Sequence, residues 1–355
     1  MTAIVHVLRQ IDVGDSIDLE RAAAILDQRA RRAGVAKQPA GGVVLRREPL
    51  EWNLDAADVG PFCADVRARL FDFGVVAIRF TMMVAESPGA ELIALAGRLS
   101  AAGASFDVKA REIWRDMAHE IAGAIVPWEE RDAIQLMMED FTIFVLPVLP
   151  TGDIDAPTVL AHLLSGEPGD RKLAPAMVQE LTRRAIRYYD DDLVLVDYDA
   201  AVIVDQDDVT ALVDIFEVAS AQLLELRFYE GMLGRAIAKL LQDVRMARTT
   251  VWLLRSPFRQ LAHRAALLAL ELGELSDRLE RAITLKGDTY SVQVYRDAAS
   301  RFRLAEADAS VREKVETIGR VSEVLGHEIH TRRDLLLEGM VIVLIAFEVV
   351  MALRH

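Results

Sequence analysis

The densest group of side chains suited to chemistry is a set of aspartates between residues 190 and 208. Carboxylates in such numbers can bind Mg²⁺ or Ca²⁺, which prefer hard oxygen ligands. Turns and helix starts also use aspartates, and Asp205 or Asp207 is placed to cap a helix that begins near residue 209. The calcium-loop glycine is absent, so Asp197 and Asp199 are only weak metal candidates. The full set is Asp190, Asp191, Asp192, Asp197, Asp199, Asp205, Asp207 and Asp208.

A second polar group, Glu225, Arg227, Tyr229 and Glu230, lies on a predicted long helix. We interpret Arg227, paired with Glu225 or Glu230, as a buried contact that orients this helix against the rest of the fold, with a binding pocket as the alternative. The glycine patterns of phosphate and dinucleotide sites and the GxSxG nucleophile motif are absent. The sequence therefore predicts no catalytic residue and no cofactor, and it favours binding over catalysis.

Charge and cysteine content narrow the function further. The 355 residues carry a formal net charge of −14, which argues against a broad nucleic-acid surface because phosphate binding needs a basic face. Cys63 is the only cysteine, so neither an internal disulfide nor a cysteine-built zinc site can form. We read Cys63 as a small buried apolar residue.

Residues 1–205 alternate between strand and helix patterns and predict an α/β head. The clearest strand is 71–84, dense in aromatic and β-branched residues, and the runs 193–196 and 200–204 predict a hairpin with an acidic turn. Further predicted strands are 3–13, 42–54 and 141–149. The predicted helices are 17–32, 61–70, 90–102, 105–125 and 128–138, with one helical turn at 158–164.

Residues 206–334 predict long helices at 209–246, 257–285 and 290–302, and a last helix from 305 to the end of the chain. The last helix has apolar residues at three-four spacing, which is typical of a coiled-coil-like seam. These residues are Leu304, Val311, Val315, Ile318, Leu325 and Ile329. The overall class is therefore α+β, an α/β head followed by a helical stalk.

Residues 335–353, LLLEGMVIVLIAFEVVMAL, predict a C-terminal transmembrane helix. Nineteen helical residues span about 28 Å, close to the hydrocarbon thickness of a bilayer. Arg332 and Arg333 precede the segment, which by the positive-inside rule leaves the bulk of the protein in the cytoplasm. Glu338 and Glu348 oppose insertion, since a charge in hydrocarbon costs about 2.5–3.5 kcal/mol at the helix centre. A core helix of a soluble bundle and an interfacial helix are the alternatives.

Four segments resemble the required-for-meiotic-nuclear-division protein family, a domain of unknown function. They are YYDDDLVLVDYDAAVIVD at 188–205, IFEVASAQLLELRFYEGMLGRAI at 215–237, KGDTYSVQVYRDAASRFRL at 286–304 and RRDLLLEGMVIVLIAFEVV at 332–350. The strand GVVAIRF at 74–80 is also similar to that family's. The resemblance implies a tail-anchored protein with an indirect link to translation. It implies no catalytic residue.

We therefore expect a scaffold or tether in a bacterial inner membrane, single-pass, with its head in the cytoplasm. We expect a homo-oligomer formed through the C-terminal helices, contact with membrane lipid, and protein partners that include translation machinery. One alternative is a metal-dependent enzyme that uses the aspartates 190–208. The other is an RNA or ribosome tether that uses arginines of the long helices, namely Arg245, Arg248, Arg255, Arg259 and Arg264.

Overall fold

The computed structural model describes residues 2–32, 42–45, 47–85, 88–128, 137–249, 262–263, 266–267, 283–286 and 289–353. The strands are β1 (Ala3–Asp12), β2 (Ser16–Ile17), β3 (Ala30–Arg32), β4 (Gly42–Leu45), β5 (Leu50–Val59), β6 (Phe62–Leu70), β7 (Val75–Val84), β8 (Ile125–Val126), β9 (Met138–Leu146), β10 (Leu193–Val196), β11 (Ala200–Val204) and β12 (Ile283–Lys286). The helices are α1 (Leu19–Leu26), α2 (Gly89–Ala101), α3 (Gly103–Ile121), α4 (Ala156–Ser165), α5 (Pro175–Thr182), α6 (Thr210–Thr249), α7 (Thr289–Arg301) and α8 (Leu304–Leu353).

The head is built on an eight-stranded sheet with the order β10-β11-β9-β1-β7-β6-β5-β3. Strand β1 is central and pairs antiparallel with β7 on one side and with β9 on the other. Strands β9 and β11 run parallel, so both begin at the same edge of the sheet, beside the end of β1. The predicted α+β class is confirmed.

The two faces of the sheet are covered differently. Alternate strand residues such as Val7, Ile78 and Phe80 point into an apolar core with helices α1 to α5. The first half of α6 packs on the opposite face, where Phe216 contacts Phe141 of β9 with ring centroids 5.8 Å apart. Because successive strand residues point to opposite faces, the residues between the core positions face α6.

The predicted helix 61–70 is wrong, because this segment is strand β6. Its buried residues Ala64, Val66 and Ala68 alternate with more exposed ones, which is a period of two and fits a strand. Pro61, which suggests a helix start, instead follows Gly60 in the turn from β5. Gly60 has φ +57°, a conformation that favours glycine.

Two other predicted helices are only partly covered. The end of the predicted helix 257–285 is wrong, since residues 283–286 form strand β12, which pairs antiparallel with β4. Most of the predicted helix 128–138 lies outside the described residues, and its last residue, Met138, begins β9. The described part of the predicted strand 42–54 forms two strands, β4 and the start of β5.

The chain divides into two compact units, Met1–Phe228 with Leu279–Ala305, and Tyr229–Arg278 with Glu306–His355. In the second unit, Glu230 of α6 accepts hydrogen bonds from Ser310 at 2.8 Å and from Lys314 at 2.7 Å, both on α8. Buried residues recur every seventh position on each helix, which is the spacing of a coiled-coil seam. They are Leu233 and Leu240 on α6, and Val311, Ile318 and Leu325 on α8.

Helix α8 continues through the predicted tail 335–353. Within the parts of the chain that the structure describes, we find no helix with the length and apolar character that crossing a membrane requires.

Candidate functional site

A cavity of about 160 Å³ lies in the head at the edge of the sheet where β9 and β11 begin. Strand β9 contributes Glu139 and Asp140, and the turn before β11 contributes Tyr198 and Asp199. Helix α6 contributes Arg227. The parallel pairing of β9 and β11 explains this arrangement, because it places the starts of two strands side by side.

The floor of the cavity is apolar. Phe141 is almost fully buried and meets Phe302 edge to face, with centroids 5.2 Å apart, and Leu223 of α6 lies beside them. Ser220 also lines the floor, and its hydroxyl donates to the side-chain oxygen of Gln10 at 2.6 Å. An apolar floor under a polar rim is the usual composition of a small-ligand site.

The rim is acidic, with one arginine. The Arg227 guanidinium donates to Glu139 and lies 5.4 Å from the ring centre of Tyr198. Burial raises the pKa of Glu139, Arg227 opposes this, and the neighbouring charge of Asp140 adds to it. Arg227 is therefore already engaged, and the remaining carboxylates of the rim carry a net negative charge.

Asp199 is an exposed carboxylate on the rim of the cavity. Loss of water contact raises its pKa, and the negative charges of Asp140 and Asp197 raise it further. In the described structure, no lysine or arginine lies within ion-pair distance of it. Burial likewise raises the pKa of Asp197, although Arg301, 3.9 Å away, opposes the change. The described residues thus leave the charge of Asp199 uncompensated.

A second recess of about 130 Å³ borders the same edge on the core face of the sheet, and Asp140 and Asp199 line both recesses. Arg9 of β1 lies in this second recess. Its guanidinium donates to Asp107 at 2.6 Å and to the carbonyl of Gly103 at 3.2 Å, and it reaches within 4.0 Å of Asp140. The two aspartates therefore form a negative ridge between the recesses.

A buried ionic cluster fixes α6 on the sheet, next to this site. Arg79 of β7 donates to Glu217 at 2.8 Å and to Asp214 at 2.9 Å. Arg69 of β6 donates to Asp214 at 2.8 Å and to Glu51 at 3.2 Å. The arginines hold the pKa of Asp214 below its ordinary value against the effect of burial. This cluster sets the position of the helix that carries Arg227.

The predicted aspartates do not come together as a group. Most of them act in turns, as in Asp192, which accepts from the backbone N–H of Tyr188 at 2.7 Å. The helix-capping prediction needs correction: Asp208, not Asp205 or Asp207, accepts from the first-turn N–H of α6, at Thr210, at 2.9 Å. Asp205 accepts from the N–H of Asp207. Of the eight aspartates, only Asp199 lines the cavity, and Asp197 lies next to it.

No group of three or more His, Cys, Asp or Glu side chains in the described part of the chain is arranged to hold a metal ion.

Cys63, predicted to be buried, is exposed, because it faces away from the core on strand β6. The strand pattern places Cys63 opposite its buried neighbour Ala64.

The predicted pairing of Arg227 is also corrected. Its partner is Glu139 of β9, whereas Glu230 bonds to Ser310 and Lys314 in the second unit. Glu225 and Tyr229 are both buried. Glu139 lies on β9, against which the first half of α6 packs, whereas Glu230 contacts residues of α8.

The structure describes only some of the remaining predicted residues. Glu338 is exposed on α8, and Arg245 is exposed on α6. The side chains of Arg332, Arg333, Glu348 and Arg248 lie outside the described set, as do residues Arg255, Arg259 and Arg264. Sequence reasoning does not single out Glu139 and Asp140. Their signal is an acidic pair directly before the apolar run at 141–149.

The head and its site define a class of protein with a mixed sheet, a helix held on it by buried ion pairs, and a small acidic cavity. The family described as "Uncharacterized protein MJ0711, N-terminal domain" matches residues 2–210, and the chain belongs to this family. Uncharacterized protein MJ0711 of Methanocaldococcus jannaschii is 28% identical to it over 177 residues.

That alignment covers 50% of this chain and 53% of the relative, so the chain spans about half the length of the curated relative it matches. The match supports a family of unknown function, as predicted. It does not support the meiotic-division name that the sequence resemblance suggests.

Proposed function

We propose that this protein is a membrane-attached tether, which holds its head near the membrane for binding to a protein partner. The tail of α8 attaches to lipid, and the head carries the partner site. The observation that carries the proposal is the exposure of the tail's apolar side chains: Met340, Val341, Ile342, Leu344 and Ile345 are each 53–63% exposed. Soluble proteins seldom leave a contiguous apolar patch in water.

The width of this apolar face favours lipid over one partner helix. Successive helical residues are about 100° apart, so these five positions cover about 200° of the circumference. A helix that packs on one neighbour buries a narrower stripe, of about 100°. Lipid covers a helix from several directions at once, which suits the wider face. Glu338 is exposed at the start of this stretch, where its carboxylate can reach the polar interface.

Alkaline carbonate extraction tests the attachment. We expect the full-length protein to stay with the membranes of the expressing cells after extraction, and a version that ends at Arg333 to be released. A full-length variant with Ile342→Arg and Ile345→Arg is the matched control, because it keeps the helix and adds charge to its apolar face. We expect this variant to be released as well. Release of the unaltered full-length protein would contradict lipid attachment.

We also propose that the long helices assemble copies of the chain. The exposed apolar side chains of Leu241 and Met246 on α6 and of Val324 on α8 support this, since contact with a second copy would remove them from water. Light scattering of the detergent-solubilised protein measures the mass directly. A strictly monomeric mass at micromolar concentration would remove oligomerisation from the proposal.

A further inference from the structure

We infer that the cavity of Glu139, Tyr198, Asp199 and Arg227 binds an ammonium or guanidinium group carried on a short apolar stem, as in a lysine or arginine side chain of the partner protein. This inference rests on the proposed function, because it names the chemistry of the partner that the head would hold. The same chemistry occurs in free alkyl diamines, and the experiment below separates the two sources.

Size is the first argument. A dry apolar cavity of about 150 Å³ accommodates one benzene molecule, whereas sites for drug-sized ligands measure about 300–1,000 Å³. The cavity here, at about 160 Å³, therefore has room for one long side chain and not for a nucleotide or a larger cofactor.

The arrangement of polarity is the second argument. The stem of a lysine or arginine is apolar and its end is charged, which matches a floor of Phe141, Leu223 and Phe302 below an acidic rim. Tyr198 is 46% exposed, and its ring borders the cavity. An aromatic face of this kind attracts cations, as its approach to Arg227 already illustrates.

Uncompensated charge is the third argument. Arg227 forms an ion pair with Glu139. The charged side chains that act on Asp199 are those of Asp140 and Asp197, and both are negative. Asp199 and Asp140 are exposed beside the cavity, so a cation that enters it would meet their opposite charge and could form charge-assisted hydrogen bonds with them. An anion would meet a net negative rim.

The test is a ligand-observed magnetic resonance titration of the full-length protein in detergent. The probes are blocked pentapeptides, Gly-Gly-Xaa-Gly-Gly, in which Xaa is lysine, arginine or norleucine, and free cadaverine. We expect millimolar binding of the lysine and arginine peptides and at least tenfold weaker binding of the norleucine peptide, which keeps the stem and lacks the charge. Binding of cadaverine alone would assign the site to a free amine and overturn the peptide partner.

Variants locate the binding. Asp199→Asn should weaken the lysine peptide about tenfold, which corresponds to about 1.4 kcal/mol, because it removes the carboxylate that the cation would meet. Asp191→Asn removes the same charge from an exposed turn residue outside the cavity and should change the affinity less than twofold. Equal weakening by both variants would reduce the effect to net charge and refute the site.

The outcome is independent of the tail. Binding in detergent does not require insertion into lipid, so a protein released by carbonate that still binds the lysine peptide would refute the membrane tether alone. A protein that stays in the membrane and binds none of the peptides would refute this inference alone.

Discussion

Asp12 is expected to make the stability of the head depend on pH near neutrality. Its side chain is 3% exposed, and one carboxylate oxygen accepts from Trp128 Nε1 at 3.1 Å. The other oxygen has no hydrogen-bond partner in the described structure. Burial raises the pKa of Asp12 from 3.8 to about 7, against the hydrogen bond of Trp128 and the nearby backbone of Gly14 and with a small contribution from the charge of Asp15.

The direction follows from proton binding. Between pH 4 and pH 7 the folded protein binds a proton at Asp12 that the unfolded chain does not, so the free energy of unfolding falls as pH rises through this window. A tenfold change in acidity corresponds to about 1.4 kcal/mol. Because the pKa of Asp12 is about 7 in the folded protein, the free energy of unfolding should fall by at most about 4 kcal/mol between pH 4 and pH 8.

Asp12→Asn removes the ionisation and keeps an oxygen that can accept from Trp128. Urea unfolding of both proteins, followed by tryptophan fluorescence between pH 4 and pH 8, gives the difference in unfolding free energy. We expect this difference to shift in favour of the Asp12→Asn protein as pH rises, because only the unaltered protein must then bury a charge. Asp116→Asn, on an exposed position of α3, is the control. A difference that is flat with pH would refute the reasoning.

Three further substitutions are expected to lower the free energy of unfolding, measured by urea titration. Arg79→Ala should cost about 3–5 kcal/mol, because Arg69 would then be the one remaining described arginine paired with the buried carboxylates of Asp214 and Glu217. A loss below about 1 kcal/mol would contradict the role of the cluster. Gly74→Ala should cost about 2 kcal/mol or more, since Gly74 has φ +91° and a Cβ would lie 1.9 Å from the Gly14 carbonyl oxygen; an unchanged midpoint would count against this. Asp18→Ala should cost about 1 kcal/mol through loss of the α1 cap, and Asp18→Asn should keep most of it.

The elements that follow a simple pattern can be predicted from the sequence. Strand β7 and the hairpin of β10 and β11 are dense in apolar β-branched residues, and α6 and α8 keep helical spacing over many turns. Strand β6 alternates Ala64, Val66 and Ala68 with charged residues, as a strand does, but Pro61 before it suggests a helix start. The alternation also places Arg69 at an exposed position, whereas it is buried. Its burial depends on Asp214, which is 145 residues away, and no local pattern contains that information.

The candidate site is only partly predictable for the same reason. Asp199 and Arg227 stand out by residue type, but nothing local indicates that they share a cavity. Their meeting depends on the parallel pairing of β9 with β11 and on the packing of α6 against β9. Glu139, the partner of Arg227, lies 88 residues before it. The sequence therefore indicates polar residues on the right elements but not their partners.

The two outermost strands of the large sheet limit aggregation of the protein during folding. One outermost strand, β3, has three residues, and two of them are Arg31 and Arg32. The other, β10, has four residues, and Val194 forms a bridge with Ile186. Short, charged or covered borders offer little template for a foreign strand. The head should therefore resist strand-by-strand aggregation at high concentration even though its interior strands are strongly apolar.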